Sequence, residues 1–168
     1  EELAKKADPN ANVFIIPAFV GLGAPHWVPD ARGAIFGLTR DSGREELSLA
    51  THEAVAFQTK EIISSLENDG FKIDSVRIDG GLTRNAFFNQ ILSSIIELEV
   101  LCSKTVESTA LGAAYLAGMQ VGFYPSLKDF AKTWNSDKRF VSEMSDDVRQ
   151  KKLAGWKDAV KRTLSSNI

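Results

Sequence analysis

The chain has 168 residues, 43% of them apolar and 25% charged, with 20 basic side chains against 22 acidic ones. That length can bury the core of one domain, and a net charge of −2 lacks the basic excess that normally accompanies phosphate-backbone binding. No apolar run reaches the ~18 residues of a membrane span, and the single cysteine, Cys102, can form neither an intrachain disulfide nor a CxxC metal site. No secretory leader pattern opens the chain. These features predict a cytoplasmic protein without nucleic-acid or membrane partners.

Asn12–Phe19 is β-branched and aromatic and of strand length. The Gly- and Pro-rich stretch Gly21–Gly33 reads as loop, with Phe19 and Trp27 either anchoring it to the core or lining a cleft. Ala34–Thr39 predicts a short strand with Gly37 at a bulge or close approach. Ser42 and Glu45 stand at capping-box spacing and open a helix that runs to about Asp69 and stops at Gly70. Its expected buried stripe is Leu47, Ala50 and Ala54, then Val55, Ile62 and Leu66.

Ile73–Asp79 is the next strand. The helix that follows, from about Thr83 to Glu97, carries apolar pairs (Phe87-Phe88, Ile91-Leu92, Ile95-Ile96) wide enough to predict burial on more than one side. Glu99–Ser103 is again a strand. Ser108–Val121 is a helix rich in Ala and Gly, ended by Gly122; close packing under a sheet is the preferred reading, close approach to a ligand the other. Pro125–Met144 reads as irregular with one helical turn. An amphipathic helix over Asp146–Leu164 buries Leu153, Trp156, Val160 and Leu164. Its bases, Arg149, Lys151, Lys152, Lys157, Lys161 and Arg162, exceed its acids and predict a solvated charged face. Strands alternating with helices predict an α/β layer fold, one domain or part of one.

The segment Val76–Asn85 (VRIDGGLTRN) concentrates the chemistry. A strand ends in Asp79, Gly80 and Gly81 follow, and a helix opens within four residues. Glycines let a ligand approach the backbone, and a helix N-terminus offers unpaired N–H groups and partial positive charge, so the turn suits an anion or a nucleotide. Neither the dinucleotide nor the P-loop fingerprint is present. The same residues also fit a plain tight turn capped by Asp79. His26 and His52 lack a third ligand at metal spacing, and Cys102 lies in a strand expected to be buried and inert.

Three segments, Phe14–Arg40, Ile78–Gln90 and Glu107–Tyr124, resemble the C-terminal region of the FGGY carbohydrate kinase family. The ending Leu153–Thr163 (LAGWKDAVKRT) looks more like the family's glycerol-phosphorylating branch than its xylulose or gluconate branches. The resemblance covers nearly the whole chain. It implies an RNase H-like α/β domain of the sugar kinase/actin type, with residues 1–168 forming the latter, incomplete part of the family's second domain. By resemblance Gly81 and Asn85, with Gly80 beside them, contact the nucleotide. ATP or ADP with Mg²⁺ and glycerol or a related polyol are the implied ligands.

The family's catalytic base, its Mg²⁺ and phosphate contacts and its polyol-binding residues belong to motifs that do not occur here. The resemblance therefore implies no catalytic residue and no metal ligand in this chain, and no phosphoryl transfer by it alone. A second family signature runs from Gly33 through Gly37-Leu38 and Glu46-Leu47 to Ala50 and Glu53, with His52 departing from the usual aliphatic or aromatic residue. A kinase of the same family for another sugar, such as xylulose or gluconate, is one alternative, and a non-catalytic nucleotide-binding or interaction module is the alternative from another class. Loss of the domain's early strands would leave an unpaired sheet edge, which invites homo-oligomerisation.

Overall fold

A computed structural model describes residues 1–105, 107–133 and 136–165. A helical turn (Ala4–Lys6) leads to a two-stranded antiparallel ribbon of β1 (Phe14–Ile16) and β2 (Ala34–Phe36), with Ile15 opposite Ile35. Helix α1 (Arg44–Asn68) follows, then β3 (Ser75–Ile78), a 3-10 turn (Gly81–Arg84), α2 (Ala86–Ile96) and β4 (Glu99–Ser103). The chain continues through α3 (Ser108–Gln120), α4 (Leu127–Ala131), β5 (Ser136–Phe140) and α5 (Asp146–Ser165). β3 and β4 pair in parallel around the α2 crossover, β5 joins β4 antiparallel, and β3 lies at the sheet edge. The expected α/β architecture is present, and no helix among the described residues is long and apolar enough to cross a membrane.

The core lies where α1, α2 and α5 meet β1. Phe57 of α1 stacks on Trp156 of α5 with centroids 5.1 Å apart, and Phe14 tilts against Phe57 at 6.1 Å. α2 buries Phe88, Leu92, Ile95 and Ile96, as its wide apolar stripe predicts, and with them the polar Asn89 and Ser93. Gly37 shows the expected close approach: its φ is +80° and a Cβ there would collide with the Asn12 carbonyl. Trp156 and Val160 are buried, and Leu153 and Leu164 pack partly buried against the same core.

Several expectations are corrected. The helix cap shifts by one residue, because Thr39 N–H takes the Ser42 hydroxyl, leaving Gly43 at the N-cap and Glu46 accepting its N–H at 2.8 Å. That bond, with a second from Asp8 N–H, holds the Glu46 carboxyl below the usual carboxylate range. α1 turns Val55, Ile62 and Leu66 outward and buries Leu49, Ala56, Phe57 and Ile63 instead. Apolar spacing misassigned the face because the buried side carries an acid, Glu53.

Nor is the α5 face simply solvated. Arg149 and Lys152 are buried, Arg149 bridging Glu97 (2.7 Å) and Asp146 (2.9 Å), Lys152 reaching Glu53 at 2.7 Å. Phe19 and Trp27 do not anchor their loop; they are 81% and 75% exposed, and Ala18, Leu22 and Ala31 are buried in their place. In the stretch expected to be irregular with one helical turn, α4 supplies that turn, and β5 is the element the sequence did not show. β5 is SDKRF, polar and exposed along most of its length, so it has no alternation to read. α3 is not packed under the sheet: its single buried residue is Tyr115, whose ring stacks on Phe130 (4.1 Å) and tilts against Tyr124 (5.7 Å).

Candidate functional site

The Gly-Gly turn is built in layers from below. β3 delivers Asp79 to the surface, and Gly80 then adopts φ +89°, a left-handed conformation that glycine accepts without strain. The buried Thr83 hydroxyl donates to the Gly80 carbonyl at 2.7 Å, closing the 3-10 turn. Under it, wholly buried Asn89 donates from Nδ2 to the Thr83 carbonyl at 2.7 Å and lies 3.4 Å from Cys102 Sγ. The bond to Thr83 ties α2 to the turn, and the buried Asn89 Oδ1 has no hydrogen-bond partner among the described residues.

Asn85 is the N-cap of α2: its Oδ1 accepts Phe88 N–H at 3.0 Å. The expectation that Asp79 caps the turn is therefore corrected, since Gly80 receives no side-chain cap and the cap on α2 belongs to Asn85. Asn85 Nδ2 lies 3.2 Å from His52 Nε2 on α1. Cys102 is buried and its thiol is pushed up by that burial, in keeping with an inert thiol. His26 pairs with Glu61 at 3.1 Å, far along the chain from the turn. Among the described residues no group of three or more His, Cys, Asp and Glu side chains could hold a metal ion.

Gly80, Gly81 and Asn85 thus lie together at the C-terminal end of β3 and the N-terminus of α2, where an α/β sheet presents ligand sites. Gly81 differs from its neighbour. It lacks a left-handed φ, and a Cβ built on it would meet no atom within 4 Å. The fold alone does not need glycine there. Two apolar grooves lie elsewhere, one between the β1–β2 ribbon and α1 (Ile15, Phe19, Ile35, Val55) and one between α1 and α5 (Phe57, Trp156, Val160, Leu164). Sequence reading missed the supports Thr83 and Asn89; the one available signal was a polar Asn89 inside an apolar helix stripe.

Solved structures of similar shape define the class first. The chain superposes on an ADP-bound glycerol kinase of Plasmodium falciparum with TM-score 0.83 and 40% identity, covering 98% of this chain and 33% of that one. It superposes on a gluconate kinase of Lactobacillus acidophilus with TM-score 0.81 and 24% identity, covering 98% and 34%. The fold is therefore the RNase H-like α/β fold of the actin, Hsp70 and sugar-kinase ATPases. Residues 1–121 match the C-terminal domain of the FGGY family of carbohydrate kinases, and the chain belongs to that family. Among curated relatives, the glycerol kinase of Rhizobium rhizogenes is 47% identical over 168 residues (98% of this chain, 34% of that protein). That of Xanthomonas axonopodis pv. citri is 45% identical over 166 residues (98% and 33%). The chain spans about a third of the length of these relatives.

Proposed function

We propose that residues 1–168 are the latter part of the second domain of an ATP-dependent glycerol kinase (ATP + glycerol → glycerol 3-phosphate + ADP), forming the adenosine side of its nucleotide cleft. Gly81 carries the reading: a glycine that neither conformation nor crowding requires, set against open space on the 3-10 turn that leads into α2, is what backbone approach to a ligand needs. Gly80 shapes the turn and Asn85 offers an amide beside it. Glycerol as the polyol is supported by identities of 41–47% to glycerol kinases, against 21–24% to the gluconate and xylulose kinases of the same fold.

The chain's own contribution to phosphoryl transfer is positioning. It would hold the nucleotide so that closure against the rest of the enzyme aligns the γ-phosphate with the polyol hydroxyl and excludes water. The nucleophile's base, the Mg²⁺ ligands and the polyol contacts would come from residues outside this chain. The test is Gly81→Val in the protein at its native length. Because the site has room and an ordinary φ, thermal stability should move by no more than about 0.5 kcal/mol, while ADP affinity by calorimetric titration falls at least tenfold. Unchanged ADP affinity in a folded variant would remove Gly81 from the site.

A further inference from the structure

The orientation of Asn85 settles the proton on His52. Because Asn85 Oδ1 accepts Phe88 N–H, the atom facing His52 is the amide Nδ2, a donor. His52 Nε2 must then accept, so the ring's proton sits on Nδ1, which donates to the Ser48 carbonyl at 2.7 Å. Phe87 and Phe88 flank the imidazole with centroids 6.2 Å away. One Asn85 N–H is spent on His52 and its oxygen on the cap, which leaves a single amide N–H for a ligand.

We propose that His52 is a positioning residue of the nucleotide site, holding the Asn85 amide in one orientation in its neutral, Nδ1-protonated form. The inference rests on the nucleotide reading of the Gly80–Asn85 turn. An imidazolium cannot accept a hydrogen bond; protonation sets two N–H groups against each other and releases the amide. Of the charged groups, Glu1 interacts with the ring and is itself paired with Lys5 at 2.6 Å, while Glu53, the next residue on α1, is directed to Lys152 at 2.7 Å. α2 itself contributes no titratable side chain.

The experiment is ADP titration of the protein at its native length, comparing wild type, His52→Ala and His52→Gln from alkaline to acid pH. Glutamine offers an acceptor near the Nε2 position without titrating, and it shares whatever protonation ADP itself undergoes. At the alkaline end His52→Ala should bind ADP about three- to tenfold more weakly than wild type, and His52→Gln should recover most of that loss. Toward acid, wild type should weaken several-fold more than His52→Gln. Equal affinity of His52→Ala and wild type at alkaline pH, or identical pH profiles of wild type and His52→Gln, overturns the proposal while leaving the nucleotide site standing. Failure of the wild type to bind ADP overturns both.

Discussion

Two regions of this molecule are held together by different means. The body, where α1, α2 and α5 close on β1, buries a continuous apolar core and two ion-paired cations. The arm formed by α3 and α4 buries only Tyr115, held by ring contacts to Tyr124 and Phe130 and by its hydroxyl donating to the Pro125 carbonyl at 3.2 Å. Leu116, Val121, Phe123 and Leu127 of the arm stay more than 60% exposed. A few stacked rings contribute on the order of 0.5–1.5 kcal/mol each beyond their burial. The body therefore governs global unfolding, and the arm can open beneath it at lower cost.

Trp156 gives that contrast its largest test. It is 2% exposed and joins α5 to Phe57 of α1. Trp156→Ala should lower unfolding free energy by about 3–5 kcal/mol in urea titration. Trp156→Phe should cost less, since the buried indole Nε1 finds no hydrogen-bond partner among the described residues and phenylalanine has no donor to strand. A loss below about 1 kcal/mol for the alanine variant would show that the body is not the cooperative unit.

The Glu53–Lys152 pair inside the body comes next. Burial pushes the Glu53 carboxyl above the usual carboxylate range, and the attraction of Lys152 only partly opposes it. A raised folded-state pKa means that this group's stabilising contribution is complete below the unfolded carboxylate value and is lost as pH rises through the folded one. Glu53→Gln should thus match wild type in acid and gain on it as pH rises. Lys152→Met strands the carboxylate and should cost about 3 kcal/mol at neutral pH, with the deficit shrinking in acid as Glu53 takes up a proton. Urea midpoints of the three proteins from acid to neutral pH read both signs.

Much of this architecture is legible in the sequence wherever apolar residues dominate a face. α2 and β4 stand where their patterns put them, and Gly70 and Gly122 end their helices in left-handed conformations. The pattern failed where polar residues took structural places. Lys152 hides in a helix face that read as solvated and pairs with a buried acid, Glu53, outside the apolar stripe, Asn89 and Thr83 shore up the turn from below, and β5 pairs through its backbone with side chains that give no periodicity. The site itself was visible as Gly80-Gly81 followed by a helix start. The bond between Asn85 and His52 was not, because 33 residues separate them and only the packing of α1 on α2 brings them together.

The finest comparison uses one substitution in both regions. Gly155 of α5 and Gly118 of α3 both lie inside helices, and a Cβ on either would collide with an aromatic ring, Phe14 in the body and Tyr124 in the arm. Alanine gains about 1 kcal/mol of helix propensity at both sites, so the difference between them isolates the ring's freedom to yield. Phe14 is 7% exposed and wedged against Phe57, so it has nowhere to go. Overpacking there costs about 1–3 kcal/mol and leaves Gly155→Ala neutral to about 2 kcal/mol destabilised. Tyr124 belongs to the smaller cluster on the exposed arm, and its ring can swing aside. Gly118→Ala should leave the global urea midpoint where it is while slowing hydrogen exchange along α3. Equal losses in the two variants would mean that the arm is packed as tightly as the body, and the division drawn from Tyr115 and its neighbours would fall with it.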